Sequence, residues 1–474
     1  MPDDIFDLIV IGAGPGGYTA ALRASRLGMK TALVDRRDAP GGVCLHEGCI
    51  PSKALLDSSE LFALARDGFA GHGILADNLS LDLARMMSRK EEIVKKLGDG
   101  IAFLLKKNRI RYIQGSGKPA GPRKDGLHVV TVTSPDAPAI PRLINGRRIL
   151  LATGSRPVEL PGLPRDDRVI VGSRAALAFP SVPAHLVVVG GGHIGLELGS
   201  VWNRLGARVT VVEELPEILP HADRQVADAL MKTLTKQGFR FLLQSRVTGA
   251  ETGEGKATVQ VATGESTEEL TCDRVLVAAG RTPATDGLGL SELGIRMDDN
   301  GRILVDENYQ TSAPGIHAVG DLIPGPLLAH RAMEEGSVFA ERLAGQASVV
   351  EYEFLPFVTY TRPEVASVGK TEESLKEQEI RYSAGRFPFS ANGRARCLGD
   401  TDGFAKILAH EETGTVLGIH VIGPRASELI AEAVTVMAYG GSVEDIALTL
   451  HAHPTLSEAL KESALDTMKK ALHM

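Results

Sequence analysis

Two stretches of this chain repeat one another, and the repeat constrains the fold more than any other feature. "DLIVIGAGPGGYTAALRASRLGMKTALVD" (7–35) and "HLVVVGGGHIGLELGSVWNRLGARVTVVE" (185–213) align without a gap. Gly12, Gly14, Gly17, Gly28 and Asp35 fall opposite Gly190, Gly192, Gly195, Gly206 and Glu213. Each copy reads as an apolar strand, a glycine turn, an amphipathic helix, a glycine break and a second apolar strand. That is the opening of a doubly wound parallel sheet, written twice.

A single G-x-G-x-x-G says little. Here each copy follows a strand, opens a helix and meets an acidic residue 18 positions after its last glycine (35 − 17 and 213 − 195), which is the context of a dinucleotide site. The first glycine makes the tight turn, the second lets backbone approach a pyrophosphate, and the third allows close helix–strand packing. The helix N-terminus offers N–H groups and a positive dipole end to phosphate. Two such copies imply two dinucleotides. At the second, Glu213 accepts from ribose hydroxyls and repels a 2′-phosphate; Glu214, not an arginine, follows it, so NAD is expected over NADP.

The 474 residues suggest about three domains. A net charge of −7 and the absence of a basic run argue against nucleic-acid binding. The start, "MPDDIFDLIVIGAG", is acidic and its apolar run is soon broken by glycine, unlike a signal peptide. No stretch reaches the roughly 18–20 apolar residues of a membrane span. A reducing cytoplasm is therefore expected, where stable structural disulfides are rare.

Against that background, "GGVCLHEGCIPSK" (41–53) stands out, because it holds two of only four cysteines. A zinc site needs about four ligands; one C-x4-C, even with His46 between, does not supply them, and no metal is expected. A redox pair needs two sulfurs that can bond and a low-pKa thiolate. Pro51 suits a first helical turn, so Cys49 is expected at the N-terminal end of a helix, where the dipole stabilises a thiolate.

The segment resembles the active-site stretch of the pyridine nucleotide–disulfide oxidoreductases, and its Ile-Pro-Ser-Lys ending is most similar to members that oxidise dihydrolipoyl groups. "ATGSRP" (152–157), "AAGRTP" (278–283), "TSAPGIHAVGD" (311–321), "PFVTYTRPEVASVGKTE" (356–372) and "HAHPTLSEAL" (451–460) extend the resemblance over nearly the whole chain. It implies non-covalent FAD, one per chain, held by Gly12, Gly14, Gly17, Asp35, Lys53, Thr153, Gly154, Asp321 and Ala329; the family more often has Glu where Asp35 stands. It implies NAD at Gly190, Gly192, Gly195, Glu213, Gly280 and Arg281. Cys49 would lie against the flavin and Cys44 would exchange with the substrate dithiol, while Lys53 would pair with Glu197, since a buried charge needs a partner. One departure is His46-Glu47, where the family commonly has Asn-Val; an extra carboxylate beside a thiolate raises its pKa by like-charge repulsion.

Thiol–disulfide exchange runs through thiolates, so a dithiol substrate needs a base near neutral pH. Histidine suits that task. The resemblance gives it to His453 rather than His451, with Glu458 as its orienter, and implies that this histidine serves the other subunit of a homodimer. Cys272 and Cys397 read as isolated thiols, and the last residues carry no cysteine.

The expected fold class is α/β: two doubly wound Rossmann-like dinucleotide-binding domains plus a C-terminal α+β dimerisation (interface) domain. The expected ranges are an FAD domain at 1–150, an NAD domain at 151–280, a segment completing the FAD domain at 281–348 and the interface domain at 349–474. The resemblance implies oxidation of protein-bound dihydrolipoyl groups with reduction of NAD, the partners being lipoyl-bearing domains of a multienzyme complex. A reductase of another small disulfide is the alternative enzyme, and a structural flavoprotein of such a complex the non-enzymatic one.

Overall fold

The computed structural model describes residues 5–122, 126–134 and 136–473; the acidic start, residues 1–4, lies outside them. The chain divides into two compact units, Met1–Pro51 with Ser88–Val158 and Gly280–Val350, and Ser52–Met87 with Glu159–Ala279 and Glu351–Met474. Residues 52–87, within the range expected for the first domain, thus belong to the second unit.

In the first unit the strand Ile5–Ile11 lies parallel between Thr31–Asp35 and Ala137–Leu151, with Arg111–Gln114 outside Thr31–Asp35. Ile316–Ala318 joins this sheet parallel to Ala137–Leu151, while His128–Ser134 and Ser116–Pro122 extend it antiparallel. The strands at its centre are apolar on both faces: Leu8, Ile9, Val10, Leu33, Ile149, Leu150 and Leu151 are fully buried, as a sheet covered on both sides requires. The segment read as a helical pattern over 83–110 is a helix at Leu83–Lys107. It stops short because Arg109 takes the left-handed conformation, φ 56°.

The second unit repeats the arrangement. His185–Val189 lies parallel between Arg208–Val212 and Arg274–Val277, flanked by Phe239–Leu242 and Ile170–Val171. The antiparallel strands Ser245–Gly253, Lys256–Thr263 and Ser266–Cys272 follow. The C-terminal part is an antiparallel sheet in the order Phe357–Thr359, Glu364–Gly369, Val416–Gly423, Phe404–His410, Tyr382–Pro388. Helices Ala426–Ala438 and Glu458–Thr467 pack on it around Phe387, Phe389, Ile419 and Ile430.

The two glycine loops have matching geometry. Gly12 and Gly190 take φ of 105° and 109°, values that favour glycine. Gly14 and Gly192 are the extended N-caps of helices Pro15–Arg26 and His193–Arg204. A Cβ at Gly17 would overlap the Gly12 carbonyl oxygen, and one at Gly195 that of Gly190. Each strand-end carboxylate ties down the same loop amide: Ala13 N–H donates to Asp35 at 2.6 Å, and Gly191 N–H to Glu213 at 2.6 Å.

Candidate active site

Cys44 and Cys49 form a disulfide, with Cα atoms 4.8 Å apart. Cys44 lies in the short helix Gly42–Glu47 and Cys49 opens the helix Cys49–Ala63. Two glycines set this segment on the first dinucleotide loop. Gly41 N–H donates to the Ala13 carbonyl at 2.8 Å, and a Cβ on Gly42 (φ 63°) would come within 2.5 Å of the Gly14 Cα. The sulfurs are therefore carried by backbone in direct contact with the loop expected to hold a pyrophosphate. The packing leaves no side chain between the cysteine segment and that loop, so a dinucleotide bound there would lie beside the disulfide.

The carboxylate in the departing stretch is not isolated. Glu47 pairs with Arg37 at 3.0 Å, and His46 meets the Pro40 carbonyl at 3.0 Å. The like-charge effect expected of Glu47 is thus offset by a guanidinium that the sequence motif does not contain.

The other first-unit candidates converge through Ser155. Its hydroxyl donates to Asp321 at 2.5 Å, and Arg281 reaches the same hydroxyl and the Ser155 carbonyl, each at 2.7 Å. Burial lowers the Arg281 pKa, against the opposing charges of Asp321 and Glu47. Arg281, expected at the NAD site with Gly280, therefore groups with Asp321, because Arg281–Pro283 pairs with Ser155–Pro157. Thr153 donates to the Ala284 carbonyl at 2.7 Å, and Gly154 beside it has φ 76°. Ala329 opens the helix Ala329–Leu343. Further along that helix, Arg331 and Glu335 form a buried ion pair at 2.8 Å. Glu335 accepts from Gly320 N–H at 2.6 Å, and Arg331 donates to the carbonyls of Pro324 and Pro326, which fixes the loop carrying Asp321. Ser155, Arg37, Arg331 and Glu335 were not among the expected residues; for the last two, the i,i+4 spacing was the available signal.

In the second unit Lys53 donates to Glu197 at 2.8 Å; Glu197 is 4% exposed and Lys53 32%. The other Glu197 oxygen accepts from Tyr360 N–H at 3.0 Å, and the Lys53 ammonium sits 4.4 Å from the Tyr360 ring centre. Tyr360 was likewise not expected. Burial, then the charges of Glu364 and Glu197, push its phenol pKa up. Of the NAD candidates, Gly190, Gly192, Gly195 and Glu213 lie together in the second loop, and a Cβ on Gly190 would come within 2.6 Å of the Ala278 carbonyl oxygen.

The two histidines differ in what they have left to offer. His451 is occupied at both ring nitrogens, by Glu432 at 2.7 Å and the Thr449 carbonyl at 3.0 Å. The Glu432 bond raises its pKa, against burial. His453 is bonded at Nδ1 by Glu458 at 2.8 Å and is 79% exposed, leaving Nε2 for chemistry. Burial works to raise the Glu458 pKa, but bonds from Thr455 N–H and His453 outweigh it and hold the carboxyl below its usual range.

This geometry agrees with two sequence matches. Residues 6–336 match the pyridine nucleotide-disulphide oxidoreductase family, and residues 355–464 match its dimerisation domain. The chain belongs to this family. Among oxidoreductases of the family, it is 47% identical over 470 residues to a mitochondrial dihydrolipoyl dehydrogenase of Pisum sativum, covering 99% of this chain and 92% of that one. It is 48% identical over 470 residues to dihydrolipoyl dehydrogenase 3 of Pseudomonas aeruginosa, covering 98% and 99%. Among solved structures, LpdA of Mycobacterium tuberculosis superposes with a TM-score of 0.89 at 28% identity, covering 96% of this chain and 98% of that one.

Proposed function

We propose that the chain is an FAD-dependent dihydrolipoyl dehydrogenase that oxidises protein-bound dihydrolipoyl groups and reduces NAD. The observation that carries this reading is the Cys44–Cys49 disulfide seated, through Gly42, on Gly14 of the first dinucleotide loop. FAD belongs with residues 1–150 and 281–348, NAD with 151–280, and the homodimer with 349–474. The partners are the lipoyl-bearing domains of a multienzyme complex. An exchanging disulfide is suited to a thiol-reducing compartment, for which we propose the cytoplasm.

His453, oriented by Glu458 and serving the other subunit of the homodimer, takes a proton at Nε2 from one substrate thiol. The resulting thiolate attacks the Cys44 sulfur, the Cys44–Cys49 bond breaks, and Cys49 leaves as a thiolate stabilised by the N-terminus of its helix. The second substrate thiol then displaces Cys44 from the mixed disulfide and its proton passes to the departing Cys44 sulfur, so the substrate leaves as a disulfide and the protein pair holds the two electrons. Bound FAD supplies the two-electron exchange between that pair and NAD. Gly14 lets its loop backbone approach the dinucleotide, Gly42 seats the cysteine segment against Gly14, Asp35 and Glu213 hold their loops for ribose, and Asp321 is held in place by Ser155.

Turnover of free dihydrolipoamide with NAD tests the assignment. NADH formation that depends on both cysteines is expected. If the protein instead reduces glutathione disulfide with NADH and leaves dihydrolipoamide untouched, it is a reductase of another small disulfide.

A further inference from the structure

Two carboxylates follow the strand Arg208–Val212, and they are used differently. Glu213 turns inward: one oxygen accepts from Gly191 N–H at 2.6 Å and the other from Leu215 N–H at 2.9 Å. Glu214 faces solvent and pairs with Arg246 at 3.2 Å, the two side chains 67% and 75% exposed. Backbone brings this arginine there. Ser245 N–H donates to the Glu213 carbonyl at 2.9 Å and Gln244 N–H to that of Leu215 at 3.1 Å, so Arg246, second in the strand Ser245–Gly253, lies beside the two acids. Arg224, later in the chain, is engaged by Glu217 at 3.0 Å.

NADP differs from NAD by a phosphate on the ribose hydroxyl that a strand-end acid serves. A phosphate placed at the end of this strand meets two carboxylates and one guanidinium, and a guanidinium fork matches phosphate oxygens in pairs. We propose that Arg246 is a latent 2′-phosphate ligand held in check by Glu214, and that the Glu214–Arg246 pair is a second determinant of nucleotide choice beside Glu213. The proposal rests on the reading of the second glycine loop as the NAD site. An exposed pair of this kind adds little to stability, so its substitution leaves the fold intact.

The test is fluorescence titration of the FAD-loaded protein with NADH and with NADPH, at low and high salt. It compares the unaltered chain with Glu214→Gln, Glu214→Gln/Arg246→Gln and Glu214→Gln/Arg246→Lys. In Glu214→Gln the affinity for NADPH relative to NADH should rise about tenfold at low salt, the combined scale of one repulsion removed and one charge-assisted hydrogen bond formed. The rise should shrink at high salt, vanish in the double Gln variant and survive in part with lysine. An unchanged ratio in Glu214→Gln overturns the proposal. So does a rise that persists without Arg246, since repulsion by Glu214 would then be the whole effect. An unaltered chain that binds neither nucleotide would remove the NAD assignment itself, and the proposal with it.

Discussion

Replacing Lys53 by methionine isolates the energetics of the pair beside Tyr360. The side chain keeps its length and packing but loses the ammonium, so Glu197, 4% exposed, retains among the described residues only the Tyr360 amide as a donor. Removing one partner of a buried ion pair costs about 3–5 kcal/mol. Lys53 is itself one-third exposed, so water can replace part of what it supplied, and the expected loss lies at the lower end, about 3 kcal/mol. Glu197→Gln should cost less, about 1–2 kcal/mol, because the amide oxygen still accepts from Tyr360 and the lysine can turn to solvent. The double variant should cost less than the sum, with a coupling of about 2 kcal/mol.

The chain contains its own probe for this experiment. Its single tryptophan, Trp202, is fully buried on the helix that carries Glu197, with its indole N–H bonded to the Ala176 carbonyl at 3.0 Å. Urea unfolding followed by tryptophan fluorescence, at saturating FAD for every variant, therefore reports the region under test. Bound cofactor stabilises the folded state by mass action, so its concentration must be the same throughout. A loss below about 1 kcal/mol in Lys53→Met, or strict additivity in the double variant, refutes the argument.

Gly14→Val should abolish FAD retention, because a branched side chain there blocks backbone approach to the pyrophosphate; absorbance of the purified protein measures it. NAD should exceed NADP at least tenfold in kcat/KM, about 1.4 kcal/mol, and equal use would remove the ribose role from Glu213. His453→Gln should slow dithiol oxidation by about 10²–10⁴, the worth of a positioned base, while NADH still reduces the disulfide in a stopped-flow assay. Burial works to raise the Glu372 pKa, but bonds from Lys406, Lys376 and Tyr382 bring it down from 4.5 to about 2. A depressed carboxyl stabilises the fold above its unfolded pKa, so roughly 2 kcal/mol, after discounting for solvent screening, should be lost between about pH 4.5 and 2; acid titration of Glu372→Gln should lack that component.

What the sequence disclosed was what short-range geometry dictates. Gly12 and Gly190 must be glycine for their φ, and Gly17 and Gly195 because a Cβ has no room; these demands are local and so appear as a spaced pattern. The cysteine pair and the Lys53, Glu197, His453 and Glu458 set were legible through family resemblance. The supporting residues were not, because their partners are distant in the chain. Tyr360 reaches Glu197 across 163 positions, and Lys406 is buried against Asp223 across 183. Arg331–Glu335 looks in sequence like any exposed helical pair, yet its side chains are 2% and 0% exposed. Glu47 looked like an uncompensated charge because nothing in residues 41–53 announces that Arg37 folds back onto it.

The remaining departure from the family pattern, Asp35 in place of the commoner glutamate, has a physical answer in the repeat itself. In the second copy a glutamate bonds the middle amide of its glycine loop at 2.6 Å and the amide two residues beyond itself at 2.9 Å. In the first, the shorter aspartate makes the same two bonds, to Ala13 at 2.6 Å and Arg37 at 2.9 Å. The amide two residues on belongs to the same Arg37 whose guanidinium pairs with Glu47, between the two cysteines. Asp35 thus holds the first loop from one side and, through Arg37, the redox segment from the other. Since a glutamate makes the same two bonds at the same distances in the second copy, the shorter acid changes the side chain but not the loop it holds, and Arg37 keeps its place beside Glu47.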